Sequence, residues 1–400
     1  MIGVATVIGT RPEAIKLAPV VHEFRRRPHA FEQIVVATGQ HREMLDQTLE
    51  VFDIEPDLDL DLMEADQSLA GLAARTLIAL EDAICYLRPD VVLIQGDTTT
   101  AFAGALAAFY SGVLVGHVEA GLRSFDRANP YPEEINRRLA GCVANMHFAP
   151  TERARANLLR EGTPADSVYV TGNTVVDALA MIPVRDSFDS HELGAIDFES
   201  TRLLLVTAHR RESHGDQLRG MCRALRAIVE NFDDVAIVYP VHLSPRVRSI
   251  VNAELTGVGR IHIVEPVSYR DLLSLMSRCY AVLTDSGGIQ EEAPSFRKPV
   301  LILRERTERP EVVDAGAAKI VGTDPEWIVA ETALLLRDDR LYRAMSAVEN
   351  PFGDGRAADR IVSILEREID PGRSAETARR ASSISRVGSQ DLWLGSRARS

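Results

Sequence analysis

The chain has 400 residues, is 46% hydrophobic and carries a formal net charge of −13. That length exceeds a single ordinary core and predicts two domains. The acidity excludes a surface built to neutralise a nucleic-acid backbone, which needs Lys and Arg clustered over many phosphates, and leaves small anionic ligands held by a few locally gathered arginines.

Residues 1–8 form an apolar run with no basic segment before it and no small-residue cleavage pattern after it, so they read as a first strand and not a leader. No stretch has the length and apolarity of a membrane span. Further β-rich runs at 34–37, 91–94 and 113–115 alternate with amphipathic stretches such as 14–27 and 68–87, the pattern of a parallel sheet covered by helices. After the run at 113–115, Gly116, Gly121, Pro130 and Pro132 allow a tight loop bracketed by Glu119 and Glu133, with Pro132 opening a helix. Periodicity is lost over residues 181–200, where Pro183, Ser187, Asp189, Ser190 and Gly194 mark a linker. A second alternating series follows, with strands at 203–206, 235–239, 261–264, 281–283 and 300–303 and a last helical pattern at 357–367. The expected division is an N-terminal domain at 1–180, a C-terminal domain at 201–369 and a disordered Ser/Arg/Ala-rich tail at 370–400. Cys85, Cys142, Cys222 and Cys279 contain no C-x-x-C pair and read as free, buried thiols of a cytoplasmic protein.

The two halves echo each other where their strands end. Gly9-Thr10-Arg11-Pro12-Glu13 follows the first strand of one half, and Ala208-His209-Arg210-Arg211-Glu212 that of the other. Later strands end in Gln95-Gly96-Asp97-Thr98 and Thr284-Asp285-Ser286-Gly287-Gly288. In doubly wound sheets such loops form the ligand crevice, so two facing domains would share a cleft.

No Gly-Lys dipeptide occurs, so there is no Walker A loop, and Gly257-Val258-Gly259 reads as a turn and not a dinucleotide fingerprint. A different phosphate site is visible at 284–292. Ser286, Gly287 and Gly288 can present successive backbone N–H groups to a diphosphate at a helix start, and Glu292, a turn further in, suits ribose hydroxyls. Arg304, Arg306, Thr307, Glu308 and Arg309 lie close by in sequence. Arg11 and Lys16 sit at the first helix start of the N-terminal half. Lone cations there are commonly solvated, and it is their loop position that points to the diphosphate. Asp97, Glu119 and Glu133 follow strands of the first sheet and can converge for proton transfer, with burial and mutual repulsion raising at least one pKa. A metal reading of His117-Val118-Glu119 lacks the downstream P-C-x-x-C of zinc deaminases, so no metal is expected. His209 and His242 fall at the ends of C-terminal strands.

Taken together, Gly9–Lys16 (GTRPEAIK), residues 38–44 (TGQHREM), Gln95-Gly96-Asp97, residues 117–123 (HVEAGLR), residues 132–137 (PEEINR), His209-Arg210-Arg211-Glu212, Tyr239-Pro240-Val241-His242 and residues 285–292 (DSGGIQEE) resemble the non-hydrolysing UDP-N-acetylglucosamine 2-epimerases. The match runs from the first strand to about residue 367. The resemblance implies a GT-B fold, two Rossmann-like doubly wound domains facing across a cleft, with no cofactor. It implies interconversion of UDP-N-acetylglucosamine and UDP-N-acetylmannosamine by elimination of UDP, a glycal intermediate and re-addition. Residues matching Asp97, Glu119, Glu133 and His209 would do the acid/base work. Arg11, Lys16, Ser286, Gly287, Gly288, Glu292 and Arg309 would hold the substrate. Members also bind a second UDP-N-acetylglucosamine as activator, through positions matching Gln40, His41, Arg42, Glu43, Arg210 and His242. Here Glu43 stands where a glutamine can, and Asp66 where an arginine contact can occur. The resemblance further implies a homodimer. Sister enzymes that epimerise UDP-2,3-diacetamido-glucuronic acid share much of the 122–137 pattern, and a GT-B glycosyltransferase or a sugar-nucleotide sensor are the remaining alternatives.

Overall fold

A computed structural model describes residues 1–39, 42–64, 67–198, 200–208 and 215–369, with backbone alone at 42–44. The expected tail at 370–400, with Gln40, His41, Asp66, His209 and Arg210, lies outside the described residues, as do the side chains of Arg42 and Glu43.

The first half alternates β1 (Ile2–Ile8), α1 (Arg11–Arg25), β2 (Phe31–Ala37), α2 (Arg42–Val51), β3 (Leu58–Asp59), α3 (Leu69–Leu87), β4 (Val91–Gln95), α4 (Thr99–Tyr110), β5 (Leu114–Val118), α5 (Glu133–Val143), β6 (Met146–Ala149), α6 (Glu152–Arg160), β7 (Val168–Val170) and α7 (Thr174–Met181). Its strands form a seven-stranded sheet ordered β3-β2-β1-β4-β5-β6-β7, and every recorded pairing is parallel. The apolar runs that read as strands are those covered on both faces: Val4, Ile8, Val91, Val92, Leu93 and Ile94 are all 0% exposed. Parallel strands buried on both faces lose the polar alternation of half-exposed ones, and each such side chain contributes about 1.5–3 kcal/mol by leaving water. β5 begins at Leu114 and runs on through His117 to Val118, so the strand expected at 113–115 extends further towards the loop.

The segment expected as a linker is packed. It contains α8 (His191–Gly194), Leu193 is fully buried, and Phe188 and Phe198 stack at 5.1 Å. Asp271 accepts the N–H groups of Asp189 and Ser190 at 2.9 and 3.0 Å, fixing that segment to the second half.

The second half follows with β8 (Arg202–Thr207), α9 (Asp216–Asn231), β9 (Val235–Pro240), α10 (Pro245–Leu255), β10 (Ile261–Val264), α11 (Tyr269–Arg278), β11 (Ala281–Thr284), α12 (Gly287–Glu292), β12 (Val300–Ile302), α13 (Pro310–Asp314), β13 (Ala318–Ile320), α14 (Pro325–Arg337), α15 (Asp339–Ser346) and α16 (Ala357–Glu368). Its six strands are ordered β10-β9-β8-β11-β12-β13. Both halves are thus doubly wound, Rossmann-like sheets, and they meet across a cleft in the GT-B manner. The strand order reverses between β1 and β4 in one sheet and between β8 and β11 in the other. Ligand crevices open at such switch points.

The chain then crosses back, because α16 packs on α1 and α7 of the first half. Asp177 accepts the N–H groups of Ala357 and Ala358 at the start of α16, and Arg27 reaches Asp359 at 2.6 Å. Among the described residues no helix is long and apolar enough to cross a membrane. All cysteines are free; Cys222 and Cys279 are buried, but Cys85 and Cys142 are exposed, which corrects the expectation of four buried thiols. Both lie on the outward faces of α3 and α5, away from the buried residues of those helices.

Candidate functional site

The first-half switch point is built on Glu13. A Cβ at residue 9 would lie 2.2 Å from Thr100 Oγ1 and 2.5 Å from Thr38 Oγ1, so glycine alone allows the turn after β1 to close this tightly. The Gly9 N–H donates to Glu13 Oε2 at 2.8 Å, and the Thr98 hydroxyl donates to Glu13 Oε1. Thr98 is also the N-cap of α4, accepting the Ala101 N–H at 3.0 Å. Glu13 therefore ties the turn carrying Arg11 to the turn carrying Asp97. Burial pushes its pKa up to about 7, against the hydrogen bonds from Thr98 and Gly9.

Arg11 is the first residue of α1 and half-buried. Lys16, five residues on, is turned inward by helical periodicity with Glu13, Leu17 and Val20. It is not a solvated surface cation, since its side chain is 7% exposed, pairs with Glu119 Oε2 and lies 2.7 Å from Glu291 Oε2. Glu291 also accepts from Arg309 Nε at 2.7 Å. Two carboxylates and two cations thus form one buried cluster, with Lys16 and Glu119 from the first half and Glu291 and Arg309 from the second. Burial acts against Lys16 and Arg309, but the carboxylates beside them hold both pKa values above the ordinary range. Burial also acts against the Glu291 carboxylate, yet Lys16 and Arg309 together hold its pKa low. Burial wins at Glu119, whose pKa is raised despite Lys16 and with help from the charge of Glu291. The leading repulsion on Glu119 thus comes from Glu291, on the opposite half, a residue the sequence pattern did not single out.

Glu119 follows β5 with φ +63°. A left-handed backbone at a side-chain-bearing residue is strained and is commonly retained where function needs it. Asn173 Nδ2 also donates to Glu119 Oε2, at 3.2 Å. Asp97 follows β4 on the neighbouring strand, where the Gly96 N–H donates to the Val118 carbonyl at 3.0 Å. Arg137, buried on α5, donates to Asp97 Oδ2 and approaches Glu134 Oε2 at 3.3 Å. Glu133 opens α5 and is half-buried, beside the fully buried Glu134. Behind these groups His117 Nε2 lies 2.8 Å from the Gly96 carbonyl, and burial drives the His117 pKa down to about 3, leaving a neutral ring that donates to that carbonyl. Among the described residues no group of three His, Cys, Asp or Glu side chains is placed to hold a metal ion.

On the second half, Ser286 is the N-cap of α12 but makes no side-chain capping bond, and its own N–H donates to Thr284 Oγ1 at 2.9 Å. A Cβ on Gly287 would sit 2.6 Å from Arg309 Cζ. Glycine there lets the guanidinium lie against the turn, so Gly287, Gly288 and Arg309 form one surface. Glu292 Oε1 accepts from the Tyr269 hydroxyl at 3.2 Å, while the buried Oε2 has no protein partner among the described residues. Burial, with Glu291 next to it, pushes Glu292 up to about 7, and the charge of Arg11 opposes the rise. His242 is exposed beyond β9, where Nδ1 accepts the Ser244 N–H at 3.1 Å.

The structure thus gathers Lys16, Glu119 and Arg309 into one cluster, sets Arg11 against Glu292 and Gly287 against Arg309, and gives Asp97 its own cation. Glu291, Glu13, Arg137 and Asn173 were not singled out from sequence. Glu291 adjoins Glu292 in a Glu-Glu pair, and only helical rotation of about 100° per residue sends one towards Lys16 and the other towards Tyr269. Arg137 stands four residues after Glu133, a helical spacing that was readable.

A family model described as UDP-N-acetylglucosamine 2-epimerase matches residues 22–366. The chain is 50% identical over 372 residues to the UDP-N-acetylglucosamine 2-epimerase of Escherichia coli K12, covering 91% of this chain and 98% of that one. It is 48% identical over 362 residues to the enzyme of that name from Bacillus subtilis, covering 90% and 94%. Among solved structures, that of the UDP-GlcNAc 2-epimerase from Neisseria meningitidis bound to UDP-GlcNAc superposes with a TM-score of 0.86 at 42% identity, covering 92% of this chain and 100% of that one.

Proposed function

The chain belongs to the UDP-N-acetylglucosamine 2-epimerase family, and from that premise we propose that it is an isomerase interconverting UDP-N-acetylglucosamine and UDP-N-acetylmannosamine. The observation that carries this reading is the buried contact of Lys16 with Glu119 on one side and Glu291 on the other. It brings a carboxylate of raised pKa next to a surface of cations and glycine backbone across the cleft.

The chemistry asks for that juxtaposition. The C2–H of the sugar is a very weak acid, so its loss must accompany departure of a stabilised leaving group. In the proposed first step Glu119 takes the C2 proton, the C–H electron pair becomes the C1=C2 bond, and the C1–O bond breaks with its electrons remaining on UDP. Arg11, Lys16, Arg309 and the Ser286–Gly288 backbone stabilise the diphosphate, and the unpartnered Glu292 oxygen accepts from the ribose hydroxyls. A carboxyl on the opposite face, drawn from Asp97 and Glu133 with His209 as a further acid/base group, protonates C2. The retained UDP oxygen then re-adds to C1. Burial of Glu119 favours this work, because a carboxylate with raised pKa is a stronger base near neutral pH.

The reading is tested by incubating the purified chain with UDP-N-acetylglucosamine and following the sugar protons by NMR. The expected product is UDP-N-acetylmannosamine, approached equally from either side. Turnover of UDP-2,3-diacetamido-glucuronic acid alone would overturn the assigned sugar. Product only when an acceptor is added would replace epimerisation by glycosyl transfer.

A further inference from the structure

Resting on that reading of the site, we propose that Asn173 is the positioning residue of Glu119: it keeps hold of Glu119 Oε2 during turnover, when Lys16 is drawn away to the diphosphate, and so leaves Oε1 aimed at C2.

Asn173 sits in the turn between β7 and α7 and is 2% exposed. Its Nδ2 donates to Glu119 Oε2 at 3.2 Å, the same oxygen that Lys16 contacts. Its Oδ1 caps α7 by accepting the Val175 N–H at 3.1 Å, and its own N–H donates to the Phe352 carbonyl at 2.6 Å. A short side chain held through its amide oxygen and its backbone has little freedom to turn its NH2 group elsewhere. The anchoring turn is itself tied to the opposite half: Asn350, two residues before Phe352, donates through Nδ2 to the Glu291 carbonyl at 2.8 Å. Asn173 is thus referenced to both sides of the cleft.

The two donors to Oε2 differ in what substrate does to them. Lys16 is a cation shared with Glu291, and a diphosphate entering the cleft competes for it with a larger charge. An amide carries no charge for the diphosphate to attract. Asn173 is therefore the donor that persists, and it holds the carboxylate while lowering its basicity less than a cation would. With one oxygen occupied, proton transfer falls to the other, and the orientation of the strained Glu119 backbone is kept.

Asn173→Asp and Asn173→Ser separate this role from helix capping. Asp and Ser are both good N-caps, so α7 keeps its cap in each variant. Asp, however, places a second anion beside Oε2, and Ser is too short to reach it. Wild-type turnover of UDP-N-acetylglucosamine is measured first, so that a failure there falls on the function and not on Asn173. The expected result is a wild-type-like KM in both variants and a wild-type-like melting temperature in Asn173→Ser. The melting temperature of Asn173→Asp falls as pH rises because of its second buried anion, and kcat is lower by on the order of 10²-fold in both, as for a catalytic group displaced by about 1 Å. In Asn173→Asp the acid limb of the kcat profile also moves to higher pH, because a like charge raises the Glu119 pKa. Folded variants with wild-type kcat and an unmoved acid limb would overturn the proposal. Loss of the folded state in both would also overturn it, because capping would then not account for the structural part of the residue.

Discussion

Replacing Lys16 with methionine removes the cation between Glu119 and Glu291 while keeping most of the side-chain volume. The three side chains are 7%, 5% and 0% exposed, so solvent does not screen the loss. Glu291 retains Arg309 at 2.7 Å, whereas Glu119 retains the neutral amide of Asn173 and the field of Arg309. Removing one partner of a buried pair destabilises by about 3–5 kcal/mol, and with Arg309 still present the low end, about 3 kcal/mol at pH 8, is expected. The loss must depend on pH. A carboxyl with a raised folded pKa contributes stability that is complete below its unfolded pKa and is lost as pH rises through the folded value. Glu119 is already raised above 4.5 in the wild type, and without Lys16 it rises further. The gap between wild type and variant is therefore smallest below the wild-type value, where only Glu291 feels the loss of Lys16, widens by about 1.4 kcal/mol per pH unit up to the variant's higher value, and is flat beyond it. Urea unfolding at half-unit steps from pH 5 to 8.5 measures this. Equal stability at pH 8, or a gap that does not change with pH, would refute the buried cluster.

Other sites give sharper single outcomes. Gly287→Ala forces a Cβ to within 2.6 Å of the Arg309 guanidinium, and UDP affinity by calorimetry should fall on the order of tenfold, about 1.4 kcal/mol; unchanged affinity removes Arg309 from the diphosphate site. Glu292 is raised from 4.5 to about 7 by burial, so its protonated form stabilises the wild type below about pH 4.5 and that stability is lost as pH rises through about 7. Glu292→Gln should therefore lose less stability than the wild type between pH 5 and pH 8 in parallel urea titrations, and an identical decline in both proteins contradicts the assignment. Asp177→Ala leaves the Ala357 and Ala358 N–H groups without their acceptor, and a loss of about 1–2 kcal/mol is expected. Amide exchange should speed first in α16, and uniform exchange would mean that the last helix is not held through this cap.

Much of the architecture was readable because parallel strands buried on both faces leave uninterrupted runs such as Val91–Ile94, and because the loops at the switch points carry Gly, Asp, Ser and Arg together. What pattern could not supply is direction across the cleft. Lys16 reads as an ordinary helix-start cation until β5 and α12 place carboxylates on either side of it. Glu291 and Glu292 are neighbours in sequence with opposite surroundings in space, and Asn173 reads only as a helix cap. The packing of α16 on α1 joins residues more than 300 positions apart, as in the contact of Arg27 with Asp359, 332 apart, that on α7 joins residues such as Asp177 and Ala357, 180 apart, and no local periodicity encodes either. The packing of the segment at 181–200 was not legible for a related reason: its buried positions, Ile182, Leu193 and Ile196, belong to a core that holds residues of both halves and do not follow a repeat of their own.

The central claim is that Glu119 takes the proton from C2, and another returns to the opposite face, while UDP is held across the cleft. It is tested most directly by the rate at which deuterium from solvent enters C2 of UDP-N-acetylglucosamine, measured by NMR for the wild type and for Glu119→Gln, with UDP affinity measured alongside. The account predicts deuterium at C2 of both sugar nucleotides with the wild type, exchange slower by about 10²–10⁴-fold in Glu119→Gln, and UDP binding retained. Epimerisation by the wild type without deuterium incorporation, or exchange by Glu119→Gln at the wild-type rate, would contradict it.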